Sequence, residues 1–338
     1  MSALPKDLVR AERLSVAFPV GRRWWRPRML RAVDDVTIAV REGEVLALVG
    51  ESGSGKTTLG RALIRLVEPT SGRVHFGEHD VTAMEAGPLR RLRRQMQIIF
   101  QDPFASLDPR MTVGEIVAEG LVIHQTGDRA SRRARVAEML ALVGLDPDHA
   151  DRYPHAMSGG QRQRVGIARA LAVNPRFIVA DEAVSSLDVS VQAQIINVLA
   201  ELRARLGLTM LFISHNLGVV RLIADRVAVM YLGRLVEIAP TRALYETPQH
   251  PYTRALLASV PIPDPAVRQS LDLLRGEPPS GIDRPSGCVF RTRCPFAAPA
   301  CAQAVPPLAE AGPGHLAACI RLDEANAAAP AARRTPDG

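Results

Sequence analysis

The segment that most constrains this chain is residues 44–67, where an apolar run leads into a glycine-rich loop and then into a helical pattern. EVLALVG is typical of a strand buried on both faces, and LGRALIRLV has helical spacing. The loop between them, residues 50–57, fits the G-x-x-x-x-G-K-[ST] pattern of a phosphate-binding loop in its required context. The alternative, a chance glycine-rich turn, does not account for the strand and the helix on either side.

The chemistry of phosphate binding explains each residue type in this loop. Glycines let backbone N–H groups surround the phosphates, and the following helix directs its positive dipole end at them. Lys56 supplies a compact positive charge, and it is one of only two lysines among 42 basic residues. The Thr57 hydroxyl is a ligand for Mg²⁺. The nucleotide-binding residues predicted in this segment are Gly50, Glu51, Ser52, Gly53, Ser54, Gly55, Lys56, Thr57 and Thr58.

Two acids stand at the end of a second apolar run, FIVAD, followed by glutamate. Asp181 is placed to hold Mg²⁺ through water, and Glu182 to polarise an attacking water as general base. A solvent-exposed pair at a strand end is the alternative, which the presence of the phosphate loop disfavours. The two motifs together predict a phosphate-loop ATPase.

The order of the apolar runs predicts an α/β fold with a largely parallel sheet, because buried strands alternate with helical segments. Residues 191–207 are predicted to form a helix closed by glycine, residues 226–238 two strands around a glycine turn, and residues 105–157 a helical insertion. Short strands are expected over residues 11–40. Their basic interruption at 21–31, which contains two tryptophans, is interpreted as a solvated loop, with contact to lipid headgroups or a partner as the alternative.

Length and composition limit the class of protein. A chain of 338 residues predicts two domains, and 47% hydrophobic with 23% charged residues excludes wholesale disorder and fibrous folds. Prolines multiply after about residue 248, so we expect a linker, a small C-terminal module over 251–322 and a disordered tail at 323–338. The sequence has no apolar stretch near the roughly 18 residues of a membrane span, and its charged start does not fit a secretory signal, which favours the cytoplasm. The net charge of +7 is by itself weak support for a nucleic-acid or membrane partner.

A third motif, MSGGQRQR at residues 157–164, opens a helix whose free N–H groups are suited to an anion. Such a helix start has no partner in the first site, which indicates a nucleotide site shared between two subunits. Here the sequence resembles the ATP-binding-cassette (ABC) family, in which SGGQ completes the nucleotide site of the opposite subunit in a head-to-tail dimer. The residues concerned are Ser158, Gly159, Gly160 and Gln161.

The resemblance implies further site residues. Phe18 stands where the family places an aromatic ring against adenine. Gln101 matches the glutamine that senses Mg²⁺ and the membrane partner, and His215 matches the switch histidine at the γ-phosphate. Asp188 closes the SSLD segment that matches the family's D-loop.

The resemblance to the ABC family covers residues 10–245, so it also predicts the extent and architecture of a domain. We expect an ABC-type nucleotide-binding domain over residues 1–250, with a RecA-like parallel-sheet core, an antiparallel β subdomain and the helical insertion. Two departures bear on catalysis: Ala183 replaces the family's proline and Asn216 replaces its aspartate. Loss of the proline is expected to loosen the turn that carries Glu182, and so to affect hydrolysis more than nucleotide binding.

A narrower resemblance extends to about residue 322. The stretches IIFQDPFASLDPRMTVGEIV, RYPHAMSGGQRQR and HPYTRALLASVP look like those of the ATP-binding subunits of dipeptide, oligopeptide and nickel importers. In that family the ATPase sits peripherally on the cytoplasmic face of the inner membrane, against two permease subunits. A second, often related, ATPase chain and an extracytoplasmic substrate-binding protein complete the system. The resemblance implies ATP-driven import of di- or oligopeptides, with nickel, glutathione or another small solute as the alternative.

Two other classes of function are less favoured. Soluble ABC proteins that act on ribosomes or DNA usually carry two cassettes or long coiled-coil insertions, whereas this chain has one cassette and no heptad array. A phosphate-loop kinase or GTPase that works alone does not explain SGGQRQR. No nucleic-acid partner is therefore expected.

Four cysteines, spaced C-x5-C-x6-C-x17-C, lie in the C-terminal module at Cys288, Cys294, Cys301 and Cys319. In a reducing compartment such a cluster suggests a metal more than disulfides. Four thiolates suit a tetrahedral zinc or a four-iron cluster. The importer resemblance implies a 4Fe-4S cluster, because members of that family carry one at matching cysteines. Reduced cysteines in a small core are the remaining alternative.

Overall fold

The computed structural model of the chain describes residues 6–23, 26–183, 188–259, 276–277 and 279–327. The two tryptophans of the basic segment, the first three residues of the SSLD segment and residues 328–338 of the predicted tail lie outside these ranges. The strands are β1 Asp7–Arg23, β2 Arg26–Arg41, β3 Val45–Val49, β4 Ser71–Phe76, β5 His79–Asp80, β6 Met96–Ile99, β7 Phe177–Asp181, β8 Thr209–Ile213, β9 Arg226–Tyr231, β10 Arg234–Pro240, β11 Ala309–Gly312 and β12 His315–Ala317.

The helices include a compact group between β6 and β7, where the sequence predicts a helical insertion. They are α1 Lys56–Leu63, α2 Ala86–Leu92, α3 Pro103–Ser106, α4 Val113–Ile123, α5 Arg129–Leu142, α6 Gly159–Leu171, α7 Val189–Leu206, α8 Leu217–Ile223, α9 Thr241–Glu246, α10 Pro251–Ala258 and α11 Leu322–Ala327. As predicted, α7 ends against a left-handed glycine, Gly207 with φ 61°. Within the described residues, no helix combines the length and apolar character needed to cross a bilayer.

The larger sheet has the strand order β11-β12-β10-β9-β3-β8-β7-β6. Its strands β9, β3, β8, β7 and β6 are mutually parallel, and β10, β12 and β11 continue it in antiparallel fashion. Successive side chains of central strand β3 enter two different cores, with Val45 and Ala47 on one face and Leu46 and Leu48 on the other. The α/β fold with a largely parallel sheet, and a strand buried on both faces before the phosphate loop, are therefore confirmed.

The smaller sheet is antiparallel, with the order β2-β1-β4-β5. Its first two strands are 17 and 16 residues long, so the expectation of short strands with an interruption at 21–31 is wrong. Backbone pairing continues to Arg23 opposite Arg26, because main-chain hydrogen bonds in a hairpin do not require apolar side chains.

The C-terminal residues extend the larger sheet. β12 pairs with β10, with Glu237 opposite Ala317, so the boundary predicted near residue 250 does not separate two sheets. Helix α11 occupies residues where a disordered tail was expected, and the Arg254 guanidinium donates to the Ala325 carbonyl. The expectation of disorder is therefore wrong for residues 323–327, because α10 anchors this helix.

Candidate functional site

A cavity of about 850 Å³ lies at the carboxyl edge of the parallel strands. The phosphate loop follows β3, while Gln101, Glu182 and His215 follow β6, β7 and β8. Carboxyl ends of parallel strands meet at one edge, so the topology brings these segments together. The cavity is lined by Phe18, Leu30, Arg31, Ala32, Glu51, Ser52, Gly53, Ser54, Gly55, Lys56, Thr57, Thr58, Gln101, Glu182, His215, Tyr231, Leu232, Gly233, Pro279, Gly281 and Arg284.

The phosphate loop needs glycine at two of its positions. Gly50 has φ 150°, and a Cβ there would lie 2.1 Å from the Met230 carbonyl oxygen. Gly55 has φ 101°, and its Cβ would lie 2.0 Å from the Ala32 carbonyl oxygen. The neighbouring strands therefore approach the loop backbone too closely for any side chain.

Lys56 lies inside the loop and is 4% exposed. Its Nζ donates to the carbonyl oxygens of Gly50 and Glu51, both at 2.9 Å. Burial lowers the pKa of Lys56, and the negative charges of Glu182, Asp181 and Glu51 oppose that shift. The loop thus wraps around an ammonium group that faces the cavity.

The Thr57 hydroxyl, at the start of α1, donates to Asp181 Oδ1 at 2.7 Å. Asp181 is fully buried at the end of β7, and Arg61 Nη2 lies 3.4 Å from its other oxygen. Burial raises the pKa of Asp181, although the Thr57 hydrogen bond and the Arg61 charge oppose the shift. A hydroxyl and a carboxylate are thereby paired directly beneath the phosphate loop.

The Glu182 side chain, at the end of β7, contacts residues that follow two other strands, β6 and β8. Its Oε2 accepts a hydrogen bond from Gln101 Nε2 at 2.8 Å and lies 3.4 Å from His215 Nδ1. The backbone of Glu182 is left-handed, with φ 47°, and its N–H donates to the Ile213 carbonyl at 3.0 Å. Ala183, in place of the family's proline, is buried. The carboxylate is therefore held between an amide and an imidazole at the cavity wall.

Asn216, the second departure from the family pattern, caps α8. Its side chain accepts from the Val219 N–H at 3.3 Å, a role that aspartate fills equally well. The substitution therefore leaves the start of this helix capped.

The SGGQ residues, 158–161, and Asp188 are not among the residues that line the cavity. Ser158 caps α6, and the Ser158 and Gln161 side chains form a reciprocal capping box. Asp188 caps α7, and its side chain accepts a hydrogen bond from the Val191 N–H at 3.0 Å. A Cβ on Gly160 would lie 2.5 Å from a Val191 methyl, so the two helix starts are packed side by side. These residues form a second surface, separate from the phosphate loop of the same chain.

Several cavity residues carry no motif and were missed from the sequence. Leu232 and Gly233 make the β9–β10 turn, whose Gly233 N–H donates to the Ser54 carbonyl at 2.8 Å. Pro279, Gly281 and Arg284 come from the C-terminal segment. The glycine turn was a usable signal for the first pair, whereas nothing local indicates that residues 279–284 return to this cavity.

The four cysteines are free thiols in one small region, and the Cys288 N–H donates to the Cys301 carbonyl at 2.8 Å. Burial raises the pKa of Cys288 and Cys319, and it raises the pKa of Cys294 to about 11. Among the described residues, no three His, Cys, Asp or Glu side chains are grouped closely enough to hold a metal ion. The arrangement of thiols therefore does not fit the expected 4Fe-4S cluster or zinc as it stands.

Comparisons with known proteins identify the family of this chain. Residues 33–185 match the ABC transporter family, and residues 236–301 match the oligopeptide/dipeptide transporter C-terminal region. The chain is 59% identical over 296 residues to a putative peptide import ATP-binding protein of Brucella ovis, with 88% of this chain and 93% of that one covered. It is 50% identical over 325 residues to the oligopeptide transport ATP-binding protein OppF of Salmonella typhimurium, with 94% and 97% covered.

A solved structure supports the same assignment. The dimeric post-hydrolysis structure of the ATP-binding cassette MJ0796, bound to ADP and phosphate, has 30% sequence identity and a TM-score of 0.63. The alignment covers 69% of this chain and 99% of that one. The predicted cassette fold is thus confirmed, and the chain belongs to the family of ABC transporter ATP-binding proteins.

Proposed function

We propose that this chain is the ATP-hydrolysing subunit of an ABC importer for di- or oligopeptides, bound peripherally to the cytoplasmic face of the membrane. The observation that carries ATP hydrolysis is the convergence of the phosphate loop, Gln101, Glu182 and His215 on one cavity. The match of residues 236–301 to the oligopeptide/dipeptide transporter C-terminal region, and the names of the close relatives, favour peptides as cargo. Nickel or glutathione is the second candidate cargo, from the narrower family resemblance.

The nucleotide lies with its triphosphate in the loop. Backbone N–H groups and Lys56 bind the phosphates, and the ammonium exchanges its loop carbonyls for phosphate oxygens. Phe18, which is 37% exposed on the cavity wall, stacks on adenine.

The residues beneath the loop fit the Mg²⁺ that this family requires. Thr57, Asp181 and Gln101 offer oxygen ligands, and Mg²⁺ typically takes one or two carboxylates and completes its shell with phosphates and water. When bound, the ion neutralises charge on the β- and γ-phosphates.

Hydrolysis depends on the orientation of the Glu182 carboxylate. Gln101 and His215 both contact its Oε2, which fixes the carboxylate in a position to accept a proton from the attacking water. The His215 imidazole is exposed on the cavity side and contacts the γ-phosphate.

The second half of each site comes from another ATPase subunit. Ser158, Gly159, Gly160 and Gln161 open α6, whose N-terminus is suited to the γ-phosphate of a partner's nucleotide. Asp188 lies at the adjacent helix start and contributes to the same interface. A head-to-tail dimer, with itself or with a related chain, places these residues over the partner's phosphate loop.

Replacing the proposed base tests the ATPase mechanism. Glu182→Gln in the assembled transporter should hydrolyse MgATP at less than about a hundredth of the wild-type rate, because the attacking water loses its proton acceptor. It should also retain bound ATP in a stable dimer. The matched control is Glu310→Gln, an exposed glutamate on β11, which should hydrolyse at the wild-type rate. Normal turnover by Glu182→Gln would reject the assignment of the base.

The transport assignment is tested by purification from membranes. Two hydrophobic permease chains should co-purify with the ATPase, and peptide-loaded extracytoplasmic binding protein should stimulate hydrolysis. Stimulation by nickel or glutathione alone would favour the alternative cargo, and absence of permeases would reject transport.

The finer proposal for the four cysteines is a 4Fe-4S cluster, or zinc in its place. Four thiols within one small region support it, and binding requires them to move closer than they lie in this arrangement. Protein purified without oxygen should be brown and contain iron and sulfide. Stoichiometric zinc in a colourless preparation would reject the cluster, and absence of both would reject the metal site.

A further inference from the structure

The phosphate-binding pattern allows any residue at position 51. In this chain the residue is Glu51, whose negative charge lies within a site for anions. Glu51 lines the cavity beside the other loop residues, and its side chain is 25% exposed. A carboxylate without a counter-charge at this place would repel the phosphates that the loop binds. The identity of its counter-charge therefore matters for nucleotide affinity.

That counter-charge is Arg293, which lies between two of the four cysteines in the sequence. Its Nη1 is 2.7 Å from Glu51 Oε2 and its Nη2 is 3.1 Å from Glu51 Oε1, so the pair is bidentate. The Arg293 side chain is 5% exposed, and Nη1 also donates to the Tyr231 hydroxyl at 3.3 Å. A shielded, bidentate pair is held far more firmly than an exposed ion pair.

The main chain of Glu51 is fixed at the same time. Its N–H donates to the Tyr252 hydroxyl at 2.9 Å, and its carbonyl accepts from Lys56. The Phe290 ring packs against Tyr252 at a centroid distance of 5.4 Å, and the Arg293 N–H donates to the Phe290 carbonyl at 3.0 Å. The ring that anchors the C-terminal segment and the guanidinium that reaches the loop thus belong to one turn.

We propose that Arg293 is a positioning residue of the nucleotide site, which fixes Glu51 and neutralises its charge. The C-terminal segment thereby sets the affinity of the loop for nucleotide phosphates. This inference rests on the proposed nucleotide site. It assigns Arg293 to phosphate binding rather than to the hydrolysis step, which Gln101 and His215 serve through Glu182.

The test uses the full chain, with KM for MgATP in the assembled transporter and Kd for MgADP by calorimetry. Arg293→Gln should raise both constants about tenfold and change kcat by less than about twofold, because an uncompensated carboxylate then faces the phosphates. Arg293→Lys keeps the charge and should recover most of the affinity. Arg291→Gln is the matched control, since Arg291 lies in the same segment but donates to Ser286, and it should bind nucleotide as the wild type does.

The Glu51→Gln background separates charge from packing. In the Glu51→Gln background the negative charge that Arg293 neutralises is absent. Arg293→Gln should therefore weaken nucleotide affinity by less than about threefold in that background. An equal loss in both backgrounds, or no loss from Arg293→Gln at all, would overturn the inference. If Arg293→Gln does not fold, Arg293→Met, which also removes the charge but keeps a long side chain, gives the same comparison in the two backgrounds. Lys56→Ala distinguishes the proposals, because a wild type that binds no better than this variant would refute the nucleotide site itself.

Discussion

At the scale of single residues, two left-handed glycines, Gly55 inside the phosphate loop and Gly43 outside it, differ in the space around their Cβ positions. Gly55→Ala would combine a left-handed backbone with a Cβ 2.0 Å from the Ala32 carbonyl oxygen. Gly43→Ala is the matched control, because Gly43 has φ 74° but open space around its Cβ position. We expect Gly43→Ala to lower the free energy of unfolding by about 1–2 kcal/mol, the cost of left-handed backbone alone.

Gly55→Ala should lower the free energy of unfolding by more than Gly43→Ala does, because either the phosphate loop or strand β2 must move. For the same reason it should abolish MgADP binding. Urea unfolding of both variants and calorimetric titration with MgADP measure these effects. Equal stability of the two variants would contradict the close approach of the strand to the loop.

The sequence predicts that the motif residues meet at one place, and their chemical roles stay predictions. Lys56, Thr57, Gln101, Glu182 and His215 were all expected at one site, and all of them line the cavity. They were predictable because phosphate chemistry restricts both residue type and spacing. Pairs such as Arg293 with Glu51, 242 residues apart, depend on the path of the whole chain and leave no local signal.

At the scale of elements, helix ends were more predictable than strand partners. The start of α6 is encoded by Ser158 and Gln161, two residues that form a capping box with each other, and the end of α7 by a single glycine. The antiparallel pair β11 and β12 was not predicted, because its strands are four and three residues long and their register depends on β10. Short strands gain most of their stability from neighbours, so a local pattern cannot reveal them.

At the scale of the whole molecule, the C-terminal residues are joined to the cassette around one buried carboxylate. Glu237 on β10 is fully buried and accepts from the N–H groups of Gln249 and His250 at 2.7 and 2.9 Å. His315 on β12 brings Nε2 to 2.6 Å from the same carboxylate. The segments before and after residues 260–275 thus converge on one strand of the main sheet.

This junction makes the stability of the fold depend on pH. Burial lowers the pKa of His250 to about 4, with Arg254 adding to the shift and Glu237 opposing it. Its Nδ1 accepts from the Tyr252 N–H at 3.1 Å, as expected of a neutral imidazole. In the unfolded chain the pKa of histidine is about 6.5. Between that pH and pH 4, the unfolded state therefore binds a proton that the folded state excludes. The free energy of unfolding therefore decreases as the pH falls through this window.

Between pH 7 and pH 5, the loss due to this one histidine should be about 2 kcal/mol. His250→Asn keeps a side chain that can cap α10 but does not titrate, and so it removes this contribution while the acids of the chain titrate as before. Urea unfolding of both proteins at the two pH values gives the comparison. The wild type should lose about 2 kcal/mol more than His250→Asn. An identical pH dependence would show that His250 is not held neutral in the folded protein, and that the junction tolerates a charged imidazole.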